Sequence, residues 1–235
     1  MKMNIIENIF AAIFGPRPPK GAYIAMHTGI DFSLRSAAAC LYDGKDMRWI
    51  LFPTGKTLAN KKMFERLTAT GLVDVHFAKV SAGETYSEKE RAKVLESICL
   101  SNRIGEALNK WADDKDENAK FFFAFEGTSF GSKGNSLVDT AMSVGVARAR
   151  LASMFGVDKM HIFAPTSVKK YMGSGKLDKV GVKDALILRP ELPQSILDIL
   201  ADPESVSKAG KLAKPLDDMC DSAAIALFLY HQMTN

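Results

Sequence analysis

Phe121-Phe122-Phe123-Ala124-Phe125-Glu126 is the stretch from which the fold is read. Five apolar residues without alternation suit a short strand buried on both faces. A carboxylate directly after such a strand is costly unless something positive compensates it. Helical segments flank the stretch. Before it, Ser87 with Glu88 and Glu90 gives a capping-box pattern. Val94, Leu95, Ile98, Ile104, Leu108 and Trp111 then supply an apolar helical face. After it, residues 136–155 read as a second long helix, rich in small residues. A further strand over 159–164 is stopped by Pro165. Strands separated by helices imply parallel pairing.

Upstream, residues 23–31, 36–42 and 47–52 read as three strands of an antiparallel meander. Asp43-Gly44-Lys45-Asp46 supplies the hairpin turn between the last two. Residues 56–70 read as helical, and 73–80 as either a short strand or an extended connection. Several helical pieces follow Pro165, the last running from about residue 216 to 232. The expected fold class is α/β: a mixed five-stranded sheet, an antiparallel meander plus parallel strands, with helices on both faces.

A chain of 235 residues suffices for one sizeable core with an appendage. Residues 1–14 read as an amphipathic helix and 15–21, Gly-Pro-Arg-Pro-Pro-Lys-Gly, as a stiff linker. Residues 1–21 are therefore expected to be an extension that docks on the body or on a partner, and 22–235 the main domain. Glu7 and the lack of a cationic leader argue against a secretion signal. No apolar run approaches ~20 residues, so no membrane span is expected. Cys40, Cys99 and Cys220 are far apart among apolar neighbours, which predicts small buried thiols in a reducing, cytoplasmic compartment. No Cys or His pair has zinc-ligand spacing, and His27, His76, His161 and His231 read as structural or surface residues.

The net charge of +4 says little. Residues 167–214, however, carry nine Lys or Arg against six acids, which fits either a polyanionic substrate or a solvated surface.

Four acids carry the chemistry. Asp31 and Glu126 each end an apolar run, and Asp218 and Asp221 open the last helix, three apart and so on one face. Singly, Asp31 reads as a turn residue, and Asp218 and Asp221 as first-turn acids favoured by the helix dipole. Jointly, carboxylates without His or Cys partners suit Mg²⁺ or Mn²⁺. Asp217 is rotated about 100° away and reads as an N-cap. Two phosphate signatures fail. Met172-Gly-Ser-Gly-Lys176-Leu lacks the first Gly and the Ser/Thr of a P-loop, and Gly127, Gly131 and Gly134 miss the dinucleotide spacing. No nucleotide cofactor is expected.

This order of elements and acids resembles the ribonuclease H-like nuclease superfamily, and within it the RuvC-type Holliday-junction resolvases. Gly29-Ile30-Asp31 looks like the family's first-strand motif, and Phe125-Glu126 like its fourth-strand glutamate. Asp218-Met-Cys-Asp221-Ser-Ala-Ala-Ile-Ala-Leu is similar to its closing helix. Val168-Lys169-Lys170 and Gly173-Ser-Gly-Lys-Leu-Asp-Lys179-Val-Gly-Val182 resemble its basic segment. The resemblance covers residues 23–233. It implies a homodimeric, metal-dependent endonuclease that cuts branched DNA. Two Mg²⁺ ions roughly 4 Å apart, or Mn²⁺ in their place, would be held by Asp31, Glu126, Asp218 and Asp221. Lys169 and Lys179 would contact phosphate, with Lys183 as a secondary contact. Lys133 and Phe130 would meet DNA from the loop after Glu126, Phe130 either as a wedge or as a buried ring. Broader branched-DNA or RNA–DNA hybrid cleavage, and a non-catalytic nucleic-acid-binding module, are the alternatives. An actin-like phosphotransferase, faintly echoed by Gly29-Ile-Asp-Phe-Ser33, would need a longer chain. Residues 1–21, residues 190–214 and the segments after Asp31 and Glu126 depart from the family pattern. With the compact length, these departures suggest a phage or other viral relative.

Overall fold

The computed structural model describes residues 25–33, 36–53, 60–77, 83–115, 119–127, 135–207 and 209–235. The N-terminal extension and the loop carrying Phe130 and Lys133 lie outside them. Strands β1 (Ala25–Asp31), β2 (Ser36–Tyr42) and β3 (Met47–Pro53) form the expected antiparallel meander. At the β2–β3 turn the Asp43 carboxylate accepts from the Lys45 and Asp46 N–H groups, and Gly44 takes the positive φ of 93° that a side chain disfavours. Helix α1 (Lys61–Thr68) leads to β4 (Val73–Val75). Helix α2 (Tyr86–Lys115), β5 (Lys120–Glu126), α3 (Asn135–Phe155) and β6 (Met160–Phe163) follow. Helices α4 (Pro165–Tyr171), α5 (Lys179–Ile187), α6 (Gln194–Ala201) and α7 (Leu216–Thr234) complete the described chain.

The sheet order is β4-β3-β2-β1-β5-β6, with β1–β5, β5–β6 and β3–β4 parallel. It thus has six strands rather than five among the described residues. The extra one, β4, is three residues long, too short for alternation to distinguish it from an extended connection. The cap of α2 also moves. Thr85 and Glu88, not Ser87 and Glu90, exchange the reciprocal bonds: the Thr85 N–H donates to Glu88 Oε2 at 2.9 Å and the Glu88 N–H to Thr85 Oγ1 at 3.3 Å.

Strand alternation divides the core into two layers. Phe121, Phe123 and Phe125 of β5, with Ile30 and Ala39, pack beneath α2 and α3 through Ile104, Leu108 and Leu151. Cys40, Trp49 and Ala124 face α7, where Ala223, Ala226 and Leu227 meet them. Truncating a fully buried ring such as Phe123 to Ala would cost about 3–5 kcal/mol. Small side chains on the second face let α7 lie close. At Gly29 the approach is closest: a Cβ would collide with the Ser222 carbonyl oxygen and the Ala226 backbone nitrogen. The Trp49 Nε1–H donates to the Met219 carbonyl at 3.2 Å and ties α7 to β3. Cys40 and Cys220 are buried thiols as expected, but Cys99 is exposed on the outer side of α2. No helix among the described residues is long and apolar enough to cross a membrane.

Candidate active site

The parallel register pairs Ile30 with Phe125, so Asp31 and Glu126 end neighbouring strands at the same level. Both fall on the sheet face covered by α7, because Gly29 and Ala124, two residues before them, pack there. The first turns of α7 add Asp217, Asp218 and Asp221.

Electrostatics show that these groups feel one another. Burial raises the Asp31 carboxyl well above its ordinary range, and the Asp218, Asp221 and Glu126 carboxylates add to the rise against Lys179. Burial and then Asp221 push Glu126 up to about 7, with Lys169 and Lys179 opposing. Asp218 is raised by burial and by Asp217, while Lys214 and the Ser36 hydroxyl pull it down. Carboxyls held upward by burial and by each other are those that a nearby cation would stabilise in the charged form.

Lysines supply that charge here. Lys179 Nζ lies 3.0 Å from Asp217 Oδ2 and 3.2 Å from Asp221 Oδ2. Lys214 Nζ lies 2.9 Å from Asp217 Oδ2 and 2.6 Å from Asp218 Oδ1. The Ser36 hydroxyl makes a short bond to Asp218 Oδ2. Asp217 and Asp218 form a buried floor, 8% and 5% exposed in their side chains. Lys179 and Lys214, at 52% and 42%, form an open rim. Among the described residues no three His, Cys, Asp or Glu side chains converge closely enough to hold a metal ion as they stand.

The donor set nevertheless fits a hard divalent ion. Asp31, Glu126, Asp218 and Asp221 offer only oxygen and repel one another, and beside them Asp217 Oδ1 is buried with no hydrogen-bond partner.

Of the residues singled out in the sequence, Asp31, Glu126, Asp218, Asp221 and Lys179 gather at this end of the sheet, and Lys169 on α4 acts on Glu126. Lys183 of α5 acts electrostatically on Cys220 of α7. It is 8% exposed and pairs with Asp184 at 2.9 Å, which leaves little of it for a phosphate. Asp217 is not the N-cap of α7, which is Pro215; it is the carboxylate shared by both lysines. Sequence reasoning passed over Lys214, whose spacing three and four before Asp217 and Asp218 is an ion-pair signal. It also passed over Arg148 of α3. This guanidinium donates to the Glu126 carbonyl at 2.8 Å and lies over the Phe125 ring, fixing the end of β5.

No family model matches the chain, and no curated protein matches it. Among solved structures it is similar to RuvC of Thermus thermophilus, at 18% identity and a TM-score of 0.45, covering 88% of this chain and 96% of that one. It is also similar to the yeast mitochondrial Holliday junction resolvase Ydc2, at 15% identity and a TM-score of 0.45, covering 96% and 84%. Both scores lie below one-half, and the reading of this site rests on its own residues.

Proposed function

We propose that the chain is a metal-dependent endonuclease that hydrolyses phosphodiesters in branched DNA such as four-way junctions. The observation that carries the reading is the meeting of Asp31, Glu126, Asp218 and Asp221 at one end of the sheet, under an open rim of lysines. Asp31, Glu126, Asp218 and Asp221 would hold two Mg²⁺ ions, or Mn²⁺ in their place. The ions would supply Lewis-acid stabilisation of the scissile phosphate and an activated water.

The protein's own groups do the rest. Asp31, central among the acids, aligns the cluster. Arg148 holds the Glu126 backbone in place from α3. Lys179 and Lys169 take phosphate oxygens at the rim and offset charge as it develops. The preference for branched DNA follows the resemblance of residues 29–31, 125–126, 168–182 and 218–227 to the resolvases. A four-way junction is two-fold symmetric, so paired cuts call for a homodimer.

The test uses labelled four-way junction, flap, RNA–DNA hybrid and linear duplex, each with Mg²⁺ or EDTA. Symmetric, metal-dependent cuts in the junction are expected. Cuts confined to hybrid or flap would reassign the substrate, and tight binding without cuts would make the chain a binding module.

A further inference from the structure

Lys179 and Lys214 occupy the carboxylate oxygens on which metal loading would depend. Lys179 bonds Asp221 Oδ2 and Lys214 bonds Asp218 Oδ1, one ammonium on each of the two α7 acids proposed as ligands. Both ammoniums also share a single oxygen of a fifth acid, Asp217 Oδ2. The two lysines reach the cluster from different segments. Lys179 starts α5, whose N-cap Asp178 accepts from the Gly181 N–H at 2.8 Å. Lys214 precedes α7, and its carbonyl accepts from Asn60 Nδ2 at 3.0 Å. Asp217 is 6% exposed, and its second oxygen is buried without a partner.

We propose that Lys179 and Lys214 are resident counter-ions, which a divalent cation must displace from Asp221 and Asp218, and that Asp217 keeps them at the rim once displaced. The inference rests on the metal reading above and concerns how that site is loaded. Before loading, the ammoniums offset repulsion among buried carboxylates. A divalent ion competes for the same oxygens with twice the charge. Asp217 lies outside the proposed ligand set and retains both lysines through Oδ2. Their exposed side chains then have ammonium capacity to offer a polyanion. Metal loading and phosphate binding therefore strengthen each other, and by linkage the coupling is the same in both directions.

The test is calorimetric titration of the full chain with Mn²⁺ alone, without DNA, at low salt. Folding of each variant is checked by circular dichroism. Removing a resident cation should tighten Mn²⁺ binding, by about two- to fivefold for one partly exposed pair. Lys214→Met and Lys179→Met are each expected to show this, and Lys214→Arg, which keeps the charge, to stay near the native value. If Lys214→Met does not fold, Lys179→Met carries the same comparison. Unchanged or weaker Mn²⁺ binding in the folded Met variants, with the native chain binding normally, overturns the exchange and leaves the metal reading standing. Absence of Mn²⁺ uptake by the native chain and by every variant overturns the metal reading and the exchange with it.

Discussion

Asp31 and Glu126 stand side by side at the ends of parallel strands, one step beyond the paired residues Ile30 and Phe125. A carboxylate beside a buried strand is costly unless it is compensated, and here two neighbouring strands end in acids on the face that α7 covers. The buried first turn of that helix adds Asp217 and Asp218. So much like charge in one place is unfavourable for the fold taken alone, and it gives stability and activity opposite responses to substitution.

Asp31→Asn is expected to remove metal-dependent cleavage, with a loss of at least about 100-fold, the scale of one transition-state-stabilising group. The same change removes a carboxylate whose charged form burial and Asp218 disfavour. In EDTA its Tm should therefore rise by roughly 2–4 °C. Melting curves and single-turnover cleavage check the pair; a variant that loses both stability and activity would mark Asp31 as a packing residue.

Stability without metal should depend on pH through Glu126, whose pKa in the fold is raised to about 7 by burial and Asp221. A carboxyl with a raised folded pKa contributes stability that is present below its unfolded pKa and lost as pH rises through the folded value. The native chain in EDTA should thus lose stability between about pH 4.5 and 7 relative to Glu126→Gln, which lacks this dependence. His27, lowered to about 4 by burial, works oppositely below neutrality, but it is common to both chains and cancels in the difference. Denaturant titrations across this range make the measurement.

Gly29→Ala is expected to lower stability by about 1–3 kcal/mol or more, the range of overpacking, because its Cβ meets the backbone of α7 at Ser222 and Ala226. Relief by displacing α7 would also move Asp218 and Asp221, so activity per folded molecule should fall as well. Thermal denaturation and cleavage rates at a temperature where the variant is folded separate the two effects.

Binding of branched DNA with Ca²⁺ should weaken steeply with salt. Three or more phosphate contacts by Lys169, Lys179 and their neighbours predict at least about a tenfold loss between roughly 50 mM and 200 mM salt. A flat response in fluorescence anisotropy would argue against nucleic acid as the ligand.

The strands and acids were legible because period and position coincide. The Phe121–Phe125 run, the meander and the start of α7 at Leu216 all follow from local pattern. What the sequence hid depends on tertiary contact. Asp217 looked like a cap because helical rotation points it away from Asp218, yet a helix lying flat on the sheet buries both. Lys214 was only one of nine basic residues in 167–214 until the fold set it beside two aspartates. Lys183 matched a basic motif, but α5 buries most of its side chain and its ammonium pairs with the exposed Asp184. Cys99 has apolar neighbours in sequence and faces outward on α2. Helical phase and strand register decide such cases, and single-residue chemistry does not.

The most direct measurement is anomalous diffraction from crystals of the full chain soaked in Mn²⁺. Anomalous density is expected between the carboxylates of Asp31, Glu126, Asp218 and Asp221, with the ammoniums of Lys179 and Lys214 moved off the latter two acids. Ordered Mn²⁺ elsewhere, with the lysines still bonded to Asp218 and Asp221 at saturating metal, would contradict that expectation.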